Sequence, residues 1–313
     1  LRARALGQLL RLSLVPTALA DATAGLLLGA RGAWPSGAPP WWLLGGSACV
    51  YMGALALNDW ADREHDARTR PERPIPSGAI APSTALALAL ALLCGGAALG
   101  WASGTAGRGL VAIAAAAALY DLAGRGAWTG PLLLASCRAG NLGIATLLGH
   151  QLAGGGSFPP ESAVPIALYG AYVFSIARLG RMEDGEAAIA SPSERARAPW
   201  SAFTSAPSFW LWIAFGCLAG SGLPPWNRAP DLNEYAPVLI GIGAAIGLGI
   251  EARREEWTRA QIVAAMGVAL RRLLGFSAAV ALLWGTPHAW IAAGAILACM
   301  PLSYFLRRLF PPS

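Results

Sequence analysis

The densest chemistry in the chain lies in nine residues, Asn58-Asp59-Trp60-Ala61-Asp62-Arg63-Glu64-His65-Asp66. Asp59, Asp62 and Asp66 are spaced by three and then four. On a helix this gathers the three carboxylates within about 60° of one face, with Asn58 beside them. Carboxylates crowded at the end of an apolar helix repel one another, and a cation relieves that cost. Oxygen ligands suit Mg²⁺, which takes one or two carboxylates together with substrate phosphates. Arg68, Arg70 and Arg73 follow within two turns, and residues 70–78, Arg-Pro-Glu-Arg-Pro-Ile-Pro-Ser-Gly, form a Pro-rich loop that cannot be helical. Arg is suited to bidentate phosphate contacts. Carboxylates, Arg and a stiff loop together point to a metal-bridged diphosphate rather than to ordinary loop charge. His65 lies about 120° around the helix from Asp59 and reads as solvated.

The elements that must position this box are apolar. Of 313 residues, 55% are hydrophobic and 13% charged, about half the charge of a soluble protein. The 38 Gly and 23 Pro agree with membrane helices, where both are frequent. A spanning helix needs about 20 mostly apolar residues. Candidate spans are 6–30, 40–58, 80–103, 107–122, 129–150, 162–182, 200–221, 236–251, 260–284 and 287–306. Arg271 and Arg272 interrupt the ninth, so 256–272 has a second reading as an interfacial amphipathic segment, and the count is nine or ten. The whole chain, 1–313, reads as one all-α polytopic bundle with no second soluble domain.

All 23 basic residues are Arg. They gather at the N-terminus and in the even-numbered loops, while the odd loops hold only Arg31, Arg108 and Arg228. The positive-inside rule then places the N-terminus and the loops 59–79 and 183–199 in the cytoplasm. This makes the chain a multi-pass protein of a bacterial cytoplasmic membrane. The net charge of +6 comes from Arg residues standing singly or in pairs between apolar runs, so no nucleic-acid strip exists. Cys49, Cys94, Cys137, Cys217 and Cys299 each stand alone in an apolar run and read as small buried residues, not as a disulfide or zinc set. The first apolar run contains Arg11, Pro16 and Asp21 and does not read as a cleaved signal. Asp21 is an intramembrane carboxylate and so a functional-site candidate, its alternative being a hydrogen bond to a neighbouring Ser or Thr. Trp34, Trp41, Trp42, Trp226 and Trp290 read as an interfacial belt.

At residues 58–78 the sequence resembles the UbiA superfamily of intramembrane prenyltransferases, whose first signature is NDxxDxxxD followed by an R…RPxxSG loop. Other pieces fall in order around it. Leu10-Arg11 through Pro16-Thr17 and Gly25 resemble the first helix, Tyr120 resembles the Tyr that opens the fourth loop, and Arg138 with Asn141 resemble an Arg…Asn pair in the fifth helix. The resemblance covers about residues 6–200. It implies a helical bundle around a cavity open to the bilayer, with two acidic boxes that bind Mg²⁺ and a polyprenyl diphosphate. The prenyl group then passes to a hydrophobic, usually aromatic, acceptor. By that resemblance Asn58, Asp59, Asp62 and Asp66 hold the metal-diphosphate, with Arg70 and Arg73 nearby. Asp59, Asp62, Asp66 and Arg138 are the catalytic set, and Tyr120 and Asn141 bind substrate.

The second box departs from the family pattern. Its stretch is Arg178-Leu179-Gly180-Arg181-Met182-Glu183-Asp184-Gly185-Glu186, in which no carboxylate has an acidic partner four residues away. Glu183 and Glu186 are i, i+3, so Glu183, Asp184 and Glu186 read either as a rearranged metal site or as a solvated helix end. Arg178 and Arg181 are also i, i+3 and fit phosphate. This departure, with Cys137-Arg138-Ala139-Gly140-Asn141, resembles the EboC branch of the superfamily. That resemblance keeps a second function open: an isoprenoid- or lipid-binding accessory protein that assists export or assembly of a metabolite without catalysing transfer.

Overall fold

The computed structural model describes residues 2–123, 126, 128–180 and 259–310. Over these residues the chain is helical, without a strand. The helices are α1 (Arg2–Leu9), α2 (Val15–Gly29), α3 (Pro39–Ala61), α4 (Arg63–Thr69), α5 (Pro82–Ser103), α6 (Gly109–Leu122), α7 (Thr129–Leu152), α8 (Ala163–Gly180), α9 (Arg259–Ala281) and α10 (Pro287–Leu309). Proline opens α2, α3, α5 and α10 at the first or second position, where its missing N–H has no partner to lose. At α10 the Thr286 side chain also caps, accepting from the Ala289 amide at 3.1 Å.

Five of these segments are long and apolar enough to cross a bilayer: Pro39–Ala61, Pro82–Ser103, Thr129–Leu152, Ile262–Trp284 and Pro287–Leu309. The predicted spans 40–58, 80–103, 129–150 and 287–306 therefore match helices to within a few residues. The ninth is also one continuous helix through Arg271 and Arg272, which do not interrupt it. Arg271 is buried inside the bundle, its guanidinium over the Tyr304 ring at 4.3 Å. Spans 200–221 and 236–251 lie outside the described residues.

The first predicted span, 6–30, is not one helix. It breaks between α1 and α2, with Arg11 at φ 44°. Left-handed backbone is unfavourable for a side chain as large as Arg. Here it coincides with a long-range ion pair that Arg11 makes to α3, described below. What remains, α2, is 15 residues long, about 22 Å at 1.5 Å per residue.

Short as it is, α2 is the axis of the bundle, packed against α3, α7, α9 and α10. Ala22, Ala24, Leu26 and Leu27 are fully buried. Its seam with α7 is made by small residues. A Cβ at Gly25 would overlap the Leu142 carbonyl oxygen, one at Gly29 that of Thr146, and one at Gly149 that of Leu26. In hydrocarbon, helices gain no hydrophobic drive against each other, so close backbone approach supplies the attraction. Residues 21, 25 and 29 of α2 thus run beside 138, 142 and 146 of α7 in parallel register. A second small-residue seam joins α3 to α5, where a Cβ on Gly46 would stand 2.9 Å from Gly96 O. Outside the seams, Leu90, Leu119, Leu132, Ile291, Leu302 and Phe305 are exposed, as suits a surface that meets hydrocarbon. Trp41, Trp42 and Trp290 are exposed near the starts of α3 and α10, where the belt reading places them, and Trp34 packs on Trp41 with ring centroids 5.3 Å apart.

Candidate active site

Between α2, α3, α6, α7 and α8 lies a cavity of about 620 Å³, within the ~300–1,000 Å³ typical of small-molecule sites. Much of its wall is apolar, with Val50, Ala54, Leu55, Leu110, Ile113, Ala117 and Leu134. Its polar groups lie at two levels along α3. One level is the acidic box; the other, two turns earlier on α3, is Arg138 with Ser47, Tyr51 and Asn141.

At the box the helix does not run straight through. α3 ends at Ala61, Asp62 takes ψ −2°, and α4 starts at Arg63. The backbone bonds nevertheless continue, Asp62 N to Asn58 O at 2.9 Å and Asp66 N to Asp62 O at 2.8 Å. Asn58, Asp62 and Asp66 therefore form an i, i+4, i+8 ridge, and all three line the cavity. Asp59 is one position off this ridge and is not part of the wall. Its Oδ1 stands 3.1 Å from Arg11 Nη2 and 3.5 Å from Arg73 Nη1. Asp59 and Asp66 still share a face, since one Arg73 nitrogen meets both, but of the three carboxylates only Asp62 and Asp66 reach the cavity. Among the described residues no three His, Cys, Asp or Glu side chains converge as a metal-binding group.

The physical reason is the loop after the box. Residues 70–78 form turns, as their prolines require, and fold back so that Arg73 and Ile75 are buried. Arg73 Nη1 bridges Asp66 Oδ2 at 2.7 Å and Asp59 Oδ1. Arg70 Nη1 lies 3.9 Å from Asp66 Oδ1, and both Arg residues also line the cavity. Asp59, Arg11 and Arg73 thus latch three separate segments together: the α1–α2 break, α3 and the Pro-rich loop.

The ridge itself suits a hard cation. Its donors are one amide and two carboxylates, the number Mg²⁺ takes when substrate phosphates complete its shell. Asp66 Oδ1 is buried with no hydrogen-bond partner, a costly state that a cation would satisfy. Asn58 Nδ2 donates to Asp121 Oδ1 at 2.9 Å, which turns the amide oxygen away from Asp121. Asp121 lines the cavity beside Tyr120, and its sequence signal is a carboxylate in the last turn of an apolar helix. His65 is exposed, as expected, and sits at the cavity edge. Glu64 faces away, 83% exposed, against Arg63.

At the other level, Arg138 Nη2 lies 2.7 Å from Asp21 Oδ2 and donates to the Tyr169 hydroxyl at 3.0 Å. Ser277 Oγ donates to Asp21 Oδ1 at 2.8 Å. Asp21 thus accepts a hydrogen bond from a neighbouring Ser and is also the counter-ion of a cavity Arg. Asn141 lines the cavity while its Nδ2 donates to Ala18 O at 3.0 Å. Arg178 stacks on Trp128, guanidinium to ring centroid 4.2 Å, and is not part of the cavity wall, whereas Ala177 and Gly180 on the same helix are. Arg181, Glu183, Asp184 and Glu186 lie outside the described residues. Tyr51, Tyr169 and Ser277 also went unremarked; the last two carry no local sequence signal, because they meet Asp21 and Arg138 only through tertiary packing.

Residues 14–254 match the model of the UbiA prenyltransferase family. The chain belongs to that family. A segment of 120 residues is 38% identical to the bacteriochlorophyll synthase 33 kDa chain of Cereibacter sphaeroides, covering 35% of this chain and 39% of that protein. Another, of 58 residues, is 50% identical to digeranylgeranylglyceryl phosphate synthase of Ignicoccus hospitalis, covering 18% of this chain and 19% of that one. The aligned parts thus span two fifths or less of these relatives. The fold agrees over far more of the chain. A UbiA homologue of Archaeoglobus fulgidus, solved with GPP and Mg²⁺, superposes with a TM-score of 0.58 at 15% identity, over 88% of this chain and 99% of that one. A structure of digeranylgeranylglyceryl phosphate synthase gives 0.58 at 17% identity, over 89% and 98%. This UbiA-family bundle carries Asn58, Asp62 and Asp66 on its cavity wall.

Proposed function

We propose that this protein transfers a prenyl group from a polyprenyl diphosphate to a hydrophobic, aromatic acceptor inside the membrane, with Mg²⁺ at the Asn58–Asp62–Asp66 ridge. The observation that carries the reading is this ridge, with its orphaned Asp66 oxygen, facing Arg11, Arg70 and Arg73 at one level of a largely apolar cavity. Its support from relatives is the family match and the A. fulgidus homologue solved with GPP and Mg²⁺. The Arg distribution supports a cytoplasmic N-terminus and box, the side on which a soluble diphosphate would arrive.

In this reading the chain's own groups divide the work. Asn58, Asp62 and Asp66 hold the cation, and Arg11, Arg70 and Arg73 meet the phosphate oxygens. Bound Mg²⁺ supplies positive charge where the departing diphosphate gains negative charge. The guanidiniums add to this as the C1–O bond of the donor breaks, because the charge they face grows in the transition state. The allylic fragment then bonds to an electron-rich atom of the acceptor, which gives up a proton. Tyr120, on the wall next to Asp121, offers a ring face to the cationic fragment. The apolar wall holds the prenyl chain and keeps water from trapping it.

Binding of radiolabelled geranylgeranyl diphosphate to the protein in nanodiscs tests the reading. Binding is expected with Mg²⁺ and to fall sharply with EDTA, and Asp62→Ala is expected to weaken it by about 100-fold. Diphosphate release is expected once a quinol or hydroxybenzoate is added. Donor binding that ignores both EDTA and Asp62→Ala would sink the metal role. Donor binding with no release on any acceptor would instead favour a carrier.

A further inference from the structure

We propose that Arg138 forms a second polar subsite in the cavity, which holds a neutral oxygen of the acceptor, such as a carbonyl, ester or hydroxyl group, in preference to a carboxylate. The inference rests on the prenyl-transfer reading for the word acceptor, and on geometry for everything else. Arg138 is 13% exposed and lines the cavity. One of its nitrogens, Nη2, is committed to Asp21 and Tyr169. The other two, Nε and Nη1, are buried and have no hydrogen-bond partner. A buried guanidinium donor that has lost water and found no acceptor is expensive. Since these two nitrogens are closed off and the residue itself lines the cavity, a small turn of the guanidinium towards a ligand oxygen would complete their bonding.

The charge of the site selects the kind of atom. Asp21 is fully buried directly behind Arg138 and is held in place by Ser277, so the pair carries no net charge. A carboxylate ligand would put a second anion on the same guanidinium in a low-dielectric wall, where like charges repel strongly. A neutral oxygen takes the same N–H bonds without that repulsion. Its surroundings fit a planar molecule: Tyr51 lies under the guanidinium, 5.4 Å from ring centroid to Arg138 Cζ, with Ser47 and Asn141 on the same wall.

Position selects the shape. Tyr51 precedes Asn58 by seven residues on α3, or roughly 10 Å at 1.5 Å per residue. The acceptor oxygen is thus held about a ring's length from the diphosphate level. The reactive atom of the acceptor, on the opposite edge, then points towards the donor, the arrangement that proximity catalysis requires.

The test uses two probes that differ mainly in charge, methyl 4-hydroxybenzoate and 4-hydroxybenzoate. Equilibrium binding to the protein in nanodiscs at pH 7.5 is measured with and without Mg²⁺ and a non-reactive geranyl thiolodiphosphate. The ester is expected to bind at least about tenfold tighter than the carboxylate. Asp21→Asn uncovers the charge of Arg138 and is expected to reverse that order. Arg138→Gln is expected to weaken the ester by about tenfold, the scale of one hydrogen bond to a charged group. Because either change leaves its partner alone in the bundle, the doubly neutral Asp21→Asn/Arg138→Gln protein is measured as well. Its folding is checked by binding of the thiolodiphosphate, and it is expected to lose the tenfold ester affinity without gaining the carboxylate. A wild-type preference for the carboxylate, or a ratio unmoved in all three variants, would overturn the proposal. Loss of thiolodiphosphate binding in the wild type would overturn the prenyl-transfer reading alone, since the probe ratio is also read without donor.

Discussion

At the acidic box, three guanidiniums from the α1–α2 break and the Pro-rich loop meet carboxylates of one short segment, and Asp59, Asp66 and Arg73 each have two neighbours of opposite sign. Two turns earlier on α3, a single carboxylate from α2 meets a single guanidinium from α7, with Tyr169 and Ser277 completing the group. The first region is a redundant network beside a turn-rich loop. The second is, among the described residues, a lone ion pair inside a bundle. The difference teaches how each tolerates change. In a network the loss of one charge leaves the others compensated, and what changes is geometry and ligand affinity. In an isolated buried pair the loss of one partner strands the other in a medium that cannot solvate it.

The largest expected effect breaks the isolated pair. Asp21→Ala leaves Arg138 without its counter-ion, and removal of one partner from a buried pair typically costs about 3–5 kcal/mol. Thermal stability in detergent, followed by fluorescence-detected size exclusion, is expected to fall well below wild type. The doubly neutral Asp21→Asn/Arg138→Gln protein is expected to recover most of the loss, because two amides of similar shape strand no charge. Equal damage from both changes would mean that packing at the α2–α7 seam, rather than charge, sets the stability here.

The two regions also differ in how far the sequence revealed them. The box is legible because its residues are neighbours in the chain, and their spacing alone gathers Asp59, Asp62 and Asp66, with Asn58 beside them, at the end of an apolar span. Which carboxylate faces inward was not legible. That depends on Arg11 and Arg73, which capture Asp59 across 48 and 14 positions, and on the helix break at Asp62. The apolar spans were readable from hydropathy, but the break at Arg11 was not, because its cause is an ion pair with a distant helix. For the buried pair, the sequence offered Asp21 and Arg138 as two separate oddities. Their meeting follows from the parallel register of α2 and α7, which the small residues Gly25 and Gly29 permit and no local pattern reports. Tyr169 and Ser277 join through packing of helices that are distant in the chain.

A smaller effect sharpens the comparison within the box. Asp62 stands on the cavity ridge and Asp59 in the latch behind it. Asp62→Ala is therefore expected to cost donor affinity about 100-fold while leaving the loop in place. Asp59→Ala is expected to cost donor affinity closer to tenfold, through loosening of Arg11 and Arg73, and to speed cleavage of the 70–78 loop by a Glu-specific protease at Glu72. The protease readout separates the two roles, since Asp62→Ala is expected to leave cleavage unchanged. Equal donor losses with no change in cleavage for either would return Asp59 to the metal set.

The smallest expected effect lies two residues past Asp62, on the outward face. Glu64 is 83% exposed and, among the described residues, pairs with Arg63 at 3.4 Å. Exposed pairs of this kind contribute little, because water screens them and the side chains lose freedom in forming them. Arg63 has other holds, its Nη1 donating to Trp60 O at 2.9 Å and its guanidinium lying over the Trp60 ring. Glu64→Ala is thus expected to leave donor affinity within about twofold of wild type, in the same assay in which Asp62→Ala fails. The control is informative because both residues are acidic and close to the cavity, so a diffuse field from the box would weaken both. A loss at Glu64 comparable to that at Asp62 would show that total negative charge, and not the Asn58–Asp62–Asp66 ridge, draws in the cation.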